Sequence, residues 1–161
     1  MNTARQYLSL KINSKEEAPV NYWIFVTNED DNAFAQILDS RIWGFENMPV
    51  RRLLPEIGDR AVFYLAGDGR GYFAGETRLS STIDVPAERK GIGGPISASI
   101  DMDDIKRWPS AVQFKLREPR NREKLSMIRN KNKWGSIFQG SIKEITEQDY
   151  RQIKELVGEC R

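Results

Sequence analysis

Residues 21–44 read NYWIFVTNEDDNAFAQILDSRIWG. The run 22–26 is aromatic and β-branched, with apolar residues throughout, and predicts a strand buried on both faces. It stops at Thr27-Asn28. Apolar residues at Phe34, Ile37 and Leu38 then recur at helical spacing, which predicts a helix over 31–40. Trp43 begins a new extended segment at a loop entrance, just ahead of Gly44. A strand, a polar turn and a short helix can bring Asn28, at the strand's end, close to Trp43. An amide beside an indole suits a flat heteroaromatic ligand, because the amide pairs with a base edge while the ring stacks on its face.

Outward from this stretch, 51–57 reads as a short helical turn ended by Pro55, and RAVFYL at 60–65 as a strand. The Gly-rich 67–71 is a hairpin turn into a returning strand over 71–79. Residues 82–95 form a Gly/Pro loop, 109–116 a strand with Val112, Phe114 and Leu116 alternating, and 121–130 a short basic helix. Residues 134–138 are extended and 140–145 is the last strand. Thr146 caps a final helix that places Tyr150, Ile153, Leu156 and Val157 on one face. Several strands, hairpins and few helices predict an α+β fold, a mixed β-barrel with flanking helices rather than a Rossmann sheet. Residues 1–20 are expected to form an N-terminal arm or an extra edge strand, and 21–161 the domain proper.

The 161 residues, 39% hydrophobic, suit one soluble domain. No run approaches the ~20 apolar residues of a membrane helix, so no membrane partner is expected. The first residues lack the apolar core of a secretory signal, and Cys160 is the only cysteine, which together favour a cytoplasmic setting. The chain has no histidine, which removes His-based general-base chemistry, Ser-His-Asp and Cys-His arrangements, and His-containing zinc sites. The loop Gly67-Asp68-Gly69-Arg70-Gly71 joins two strands and lacks phosphate-loop spacing. Asp101, Asp103 and Asp104 match no calcium loop and read as a solvated turn or helix start. No catalytic residue, metal or cofactor is expected.

The net charge of +2 hides a split. Basic residues crowd residues 115–133, including Arg129, Lys131 and Lys133, while acidic ones gather at 29–31, 101–104 and 144–149. This fits either a polyanion partner on one face or a solvated basic loop and helix. Trp23, inside the first strand, belongs to the core. Trp43 and Trp134 fit either a core place or ligand contact; Trp134 stands among Lys131 and Lys133, as base stacking combined with phosphate contact requires.

The order of NYWIFVTN, a helix, RIWGF, EIGDRAVFYLAGDGRGYFAGETRLSS, AVQFKL and KNKWGSIFQGSIKEITEQDYRQIKELV resembles an EVE domain of the PUA-like superfamily, related to the YTH domains. The resemblance covers about residues 21–157. It implies a PUA-like barrel holding a pocket for a flipped, modified base. Trp43 would match an aromatic wall of that pocket, Gly44 the residue whose carbonyl faces the modified group, and Asn28 the edge reader with Thr27 beside it. The second tryptophan wall of the YTH relatives is expected near residues 91–95, where this chain has no aromatic. Trp134, Trp108 or Phe138 would have to replace it, and Trp134 is the expected second wall.

These readings converge on a non-catalytic module expected to bind DNA or RNA through a modified base, with methylation the expected modification. Arg51, Arg52, Arg129, Lys131 and Lys133 would grip the backbone. The resemblance also implies a possible place as the reader part of a modification-dependent restriction system, with a nuclease or NTPase partner domain. The alternative is a small-molecule or free-nucleotide sensor using the same pocket.

Overall fold

Strand β1 (Tyr22–Thr27) is paired along both edges, parallel to β3 (Arg60–Leu65) and antiparallel to β7 (Ile142–Ile145). The computed structural model describes residues 19–48, 54–67, 71–83, 96–108, 114–116, 119–128 and 142–159. Within them the sheet order is β2 (Ile42–Met48), β5 (Ile96–Arg107), β4 (Tyr72–Leu79), β3, β1, β7, with β6 (Phe114–Lys115) also on β4. Helix α1 (Asp31–Ser40) links β1 to β2, α2 (Pro119–Glu123) follows β6, and α3 (Glu147–Glu159) follows β7. The sheet curls into a half-barrel of the α+β class expected. The curl brings Trp43 of β2 against Phe25 of β1, four places along the sheet order.

The strands alternate with period two, which divides the core into two sides. Trp23, Phe25, Ala61, Phe63 and Leu65 point inward, joined by Phe34 and Leu38 of α1 and by Trp43 and Phe45. Ile24, Val62 and Tyr64 point outward, under Tyr150, Ile153, Leu156 and Val157 of α3. β1 is thus covered on both faces, as its continuous apolar run requires. Each large side chain buried this way contributes about 1.5–3 kcal/mol.

Local signals set the element ends. Asp30 caps α1 by accepting from Ala33 N at 2.8 Å, and Arg41 ends it in the left-handed region at φ 59°. Thr146 Oγ1 accepts from Asp149 N at 3.1 Å, and Asp149 Oδ2 accepts from Thr146 N at 3.3 Å. This reciprocal pair starts α3 where the sequence placed a cap. The buried carboxylate of Asp59 ties the start of β1 to the start of β3. Its Oδ2 accepts from Trp23 Nε1 and Glu56 N, both at 2.9 Å, and its Oδ1 from Asn21 N at 3.0 Å.

Three expectations are corrected. Residues 101–104 belong to the long strand β5 rather than to a turn or helix start. The ladder with β4 slips between Glu76 and Arg78, and the extra β5 residue is accommodated by Asp104 at φ 47°. Arg78 Nη2 reaches both Asp103 Oδ2 at 3.4 Å and Asp104 Oδ2 at 3.5 Å across this bulge. The basic helix is shorter and earlier than 121–130, because Leu125 and Ile128 are drawn into the outer core as turns. Of the helical turn expected over 51–57, residues 51–53 lie outside the described residues and 54–57 are not helical. Among the described residues, no helix is long and apolar enough to cross a membrane, and no cluster of metal-binding side chains is present.

Candidate nucleic-acid interface

Trp43 stands in β2 opposite Ile100 of β5, with Phe45 two residues on sharing its inward direction. Its ring lies on Phe63 at a centroid distance of 5.2 Å and 19°, and near Phe25 at 5.5 Å and 33°. Phe63 also meets Phe34 of α1 edge-on at 5.6 Å. Arg107 extends this line of rings to the surface, its guanidinium carbon 5.3 Å from the Phe34 centroid. The expectation of a loop-entrance residue is corrected: Trp43 is an inward strand residue, 2% exposed, because the curled sheet carries β2 across the interior.

The polar residues expected beside it end β1. Thr27 is half-buried and pairs with Leu65, and its Oγ1 accepts from Glu29 N at 3.1 Å, which turns the chain toward α1. Asn28 follows, exposed, three residues beyond the Phe25 that touches Trp43. At a strand rise of about 3.3 Å per residue, that is a separation of about 10 Å along the chain. Gly44 faces the opposite side of β2 from Trp43, is exposed, and pairs with Ser99. A Cβ built there would meet nothing within 4 Å, and its φ is not positive. Neither crowding nor backbone conformation in the described fold calls for glycine at this position.

Comparison with known proteins assigns the chain to a family. The EVE domain model matches residues 21–156. The chain belongs to the EVE domain family. This EVE domain is 30% identical over 155 residues to a UPF0310 protein of Pyrococcus abyssi, covering 86% of the chain and all of that protein. A hypothetical protein from Leishmania major shares the fold at a TM-score of 0.63 and 13% identity, over 88% of this chain and 96% of that one. Human THYN1 protein, solved in complex with DNA containing 5-methylcytosine, aligns at a TM-score of 0.53 and 13% identity, over 85% and 97% of the two chains.

In this EVE domain the described basic residues do not gather beside Trp43. Arg122 Nη1 donates to the Leu116 carbonyl at 2.7 Å and so tethers α2 to the end of β6. Ser126 donates from both N and Oγ to Gln152 Oε1, at 3.0 and 3.1 Å, which clamps the following turn to α3. With Leu125 and Ile128 in the outer core, this part of the basic segment lies on the α3 side of the sheet, whereas Trp43 lies inside the curl. Trp134, Arg51, Arg52, Arg129, Lys131 and Lys133 fall outside the described residues.

Among the described residues, two of the open clefts flank the sheet, and neither of these is lined by Trp43, Thr27, Asn28 or Gly44. One, of about 520 Å³, lies between α1 and β5 and mixes Arg41 and Arg107 with Asp39, Asp103 and Asp104. The Asp103 carboxyl there is held below the ordinary carboxylate range, first by the Asp104 N–H and then by the Arg78 guanidinium. The other, of about 850 Å³, lies where β1, β7 and the start of α3 meet. Beside it Tyr22 packs on Tyr150 at 4.8 Å, and Tyr150 donates to Glu76 Oε2 at 2.8 Å. Sequence reasoning missed Phe25 and Phe63 as the partners of Trp43. Their signal was present in the inward period of two strands, but which strands lie across the interior from β2 is a matter of curl and sheet order.

Proposed function

We propose that this EVE domain is a non-catalytic reader of nucleic acid that recognises a modified base stacked on Trp43. The observation that carries the reading is the Trp43 indole, stacked on Phe63 inside the curl of the sheet. Family membership and the DNA complex of THYN1 supply the ligand class.

In this reading Asn28 and Thr27 read the base edge, the Gly44 carbonyl faces the modified group, and Trp134 forms the second wall. Arg51, Arg52, Arg129, Lys131 and Lys133 hold phosphates, so affinity falls with salt. Because Trp43 is 2% exposed, a base reaches its free face only after the side chains covering that face move. Association should therefore be slower than a preformed site allows. A nuclease or NTPase partner would make the domain the reader of a modification-dependent restriction system.

A binding panel tests the reading, using DNA and RNA oligonucleotides with N6-methyladenine, 5-methylcytosine or 5-hydroxymethylcytosine, each beside its plain counterpart. Preference for one modified strand supports a reader. Equal binding of all strands refutes it, and tight binding of a free nucleoside without any strand would instead mark a small-molecule sensor.

A further inference from the structure

Phe25 and Phe63 are Cα partners in the parallel β1–β3 pair, and both point inward. Paired strands lie about 4.8 Å apart, so the two residues stand next to each other on one wall of the sheet. Trp43 reaches that wall from β2, nearly parallel to Phe63 and moderately tilted to Phe25. Phe63, stacked at 5.2 Å and 19°, covers one face of the indole. A base can stack only on the other face, and its plane is then set by the plane of the ring beneath.

We infer that Phe63 is a positioning residue for base recognition: it fixes the indole plane from behind, without itself touching the base. The inference rests on the reader function proposed above. Phe63 suits this role better than Phe25 because its contact with Trp43 is the flatter one, and because Phe34 braces it edge-on from α1. A flexible aliphatic side chain in its place would fill most of the volume but leave the indole free to tilt, since offset stacking is lost.

The test compares four variants for the ratio of affinities between the modified oligonucleotide selected by the panel and its plain counterpart. They are Phe63→Leu, Phe63→Tyr, Trp43→Ala and Val62→Ala. Val62 is equally buried on the same strand but points to the outer core, so its truncation weakens the fold without touching Trp43. Thermal melts identify folded variants, and Phe63→Met replaces Phe63→Leu if the latter does not fold. Near-ultraviolet circular dichroism reports the environment of the tryptophans.

Phe63→Leu is expected to lower the ratio about fivefold and to change the near-ultraviolet spectrum, with the flat ring of Phe63→Tyr restoring both. Val62→Ala should leave the ratio at the wild-type value. If Phe63→Leu and Val62→Ala alter the ratio equally, or not at all, while Trp43→Ala abolishes it, the positioning role is overturned and the reader function stands. If Trp43→Ala itself leaves the ratio unchanged, the base does not stack on Trp43 and both ideas fall.

Discussion

Replacing Asp59 probes the joint from which β1 starts. The side chain is 3% exposed and accepts three N–H groups, two on Oδ2 and one on Oδ1. In Asp59→Ala all three donors lose their acceptor. The Trp23 indole N–H is the most deeply buried of them and cannot turn to water. A stranded buried donor costs about 1–3 kcal/mol, and the two part-buried backbone N–H groups add roughly 1 kcal/mol each. The expected loss is about 3–5 kcal/mol, a large share of the 5–15 kcal/mol typical of a domain. Asp59→Asn behaves differently. Its amide oxygen can take the place of Oδ2 and keep Trp23 and Glu56, while its NH₂ faces the Asn21 N–H. That variant should lose about 1–2 kcal/mol. Urea unfolding followed by tryptophan fluorescence gives both numbers, and the Trp23 indole proton in an NMR spectrum should stay protected in the Asn variant only. An Ala variant within about 1 kcal/mol of wild type, or an Asn variant as damaged as Ala, would refute the reasoning.

Gly75→Ala should destabilise by about 2–3 kcal/mol in the same urea assay, because overpacking forces the backbone to shift. The new Cβ would stand 2.5 Å from the Lys106 carbonyl oxygen, so β4 and β5 would have to part. Tyr150→Phe should cost about 1 kcal/mol near neutrality through the lost bond to Glu76. It should also change the alkaline limb. Burial, and then the Glu76 carboxylate, hold the Tyr150 pKa above its ordinary value. Below about pH 10 the phenol is protonated in both folded and unfolded chains; above it the unfolded chain loses the proton first, so stability falls. The Phe variant should lose stability less steeply above that pH, as read from urea midpoints across the range. Lys131→Ala with Lys133→Ala should weaken modified and plain strands alike and reduce the salt slope by about 1–2; a change confined to the modified strand would contradict a backbone role.

The long, strongly patterned segments were legible in the sequence. The 31–40 helix, the 60–65 strand and the capped last helix emerge where periodicity and capping placed them. β5 was missed although residues 96–103 alternate strictly between apolar and polar: the aspartates read as a turn, and the alternation breaks only at the left-handed Asp104 of the bulge, a feature of tertiary pairing with β4. The short basic helix was misplaced because Leu125 and Ile128 are held by contacts with α3 that no local pattern announces. At the candidate site, residue types were readable and placement was not. Whether Trp43 faces a loop or the interior depends on how far the sheet curls. The same curl makes Phe25 and Phe63 its neighbours, from strands that adjoin β2 in the sequence but are distant from it in the sheet order.

The central claim is that a modified base stacks on Trp43. Its most direct test is a pair of equilibrium titrations at one salt concentration, wild type and Trp43→Ala, each with the panel-selected modified oligonucleotide and its plain twin. Stacking on an aromatic ring contributes about 1–3 kcal/mol per base. The modified-to-plain affinity ratio should therefore collapse toward one in the folded variant, while affinity for the plain strand changes little. A folded Trp43→Ala protein that keeps the wild-type ratio would contradict the account.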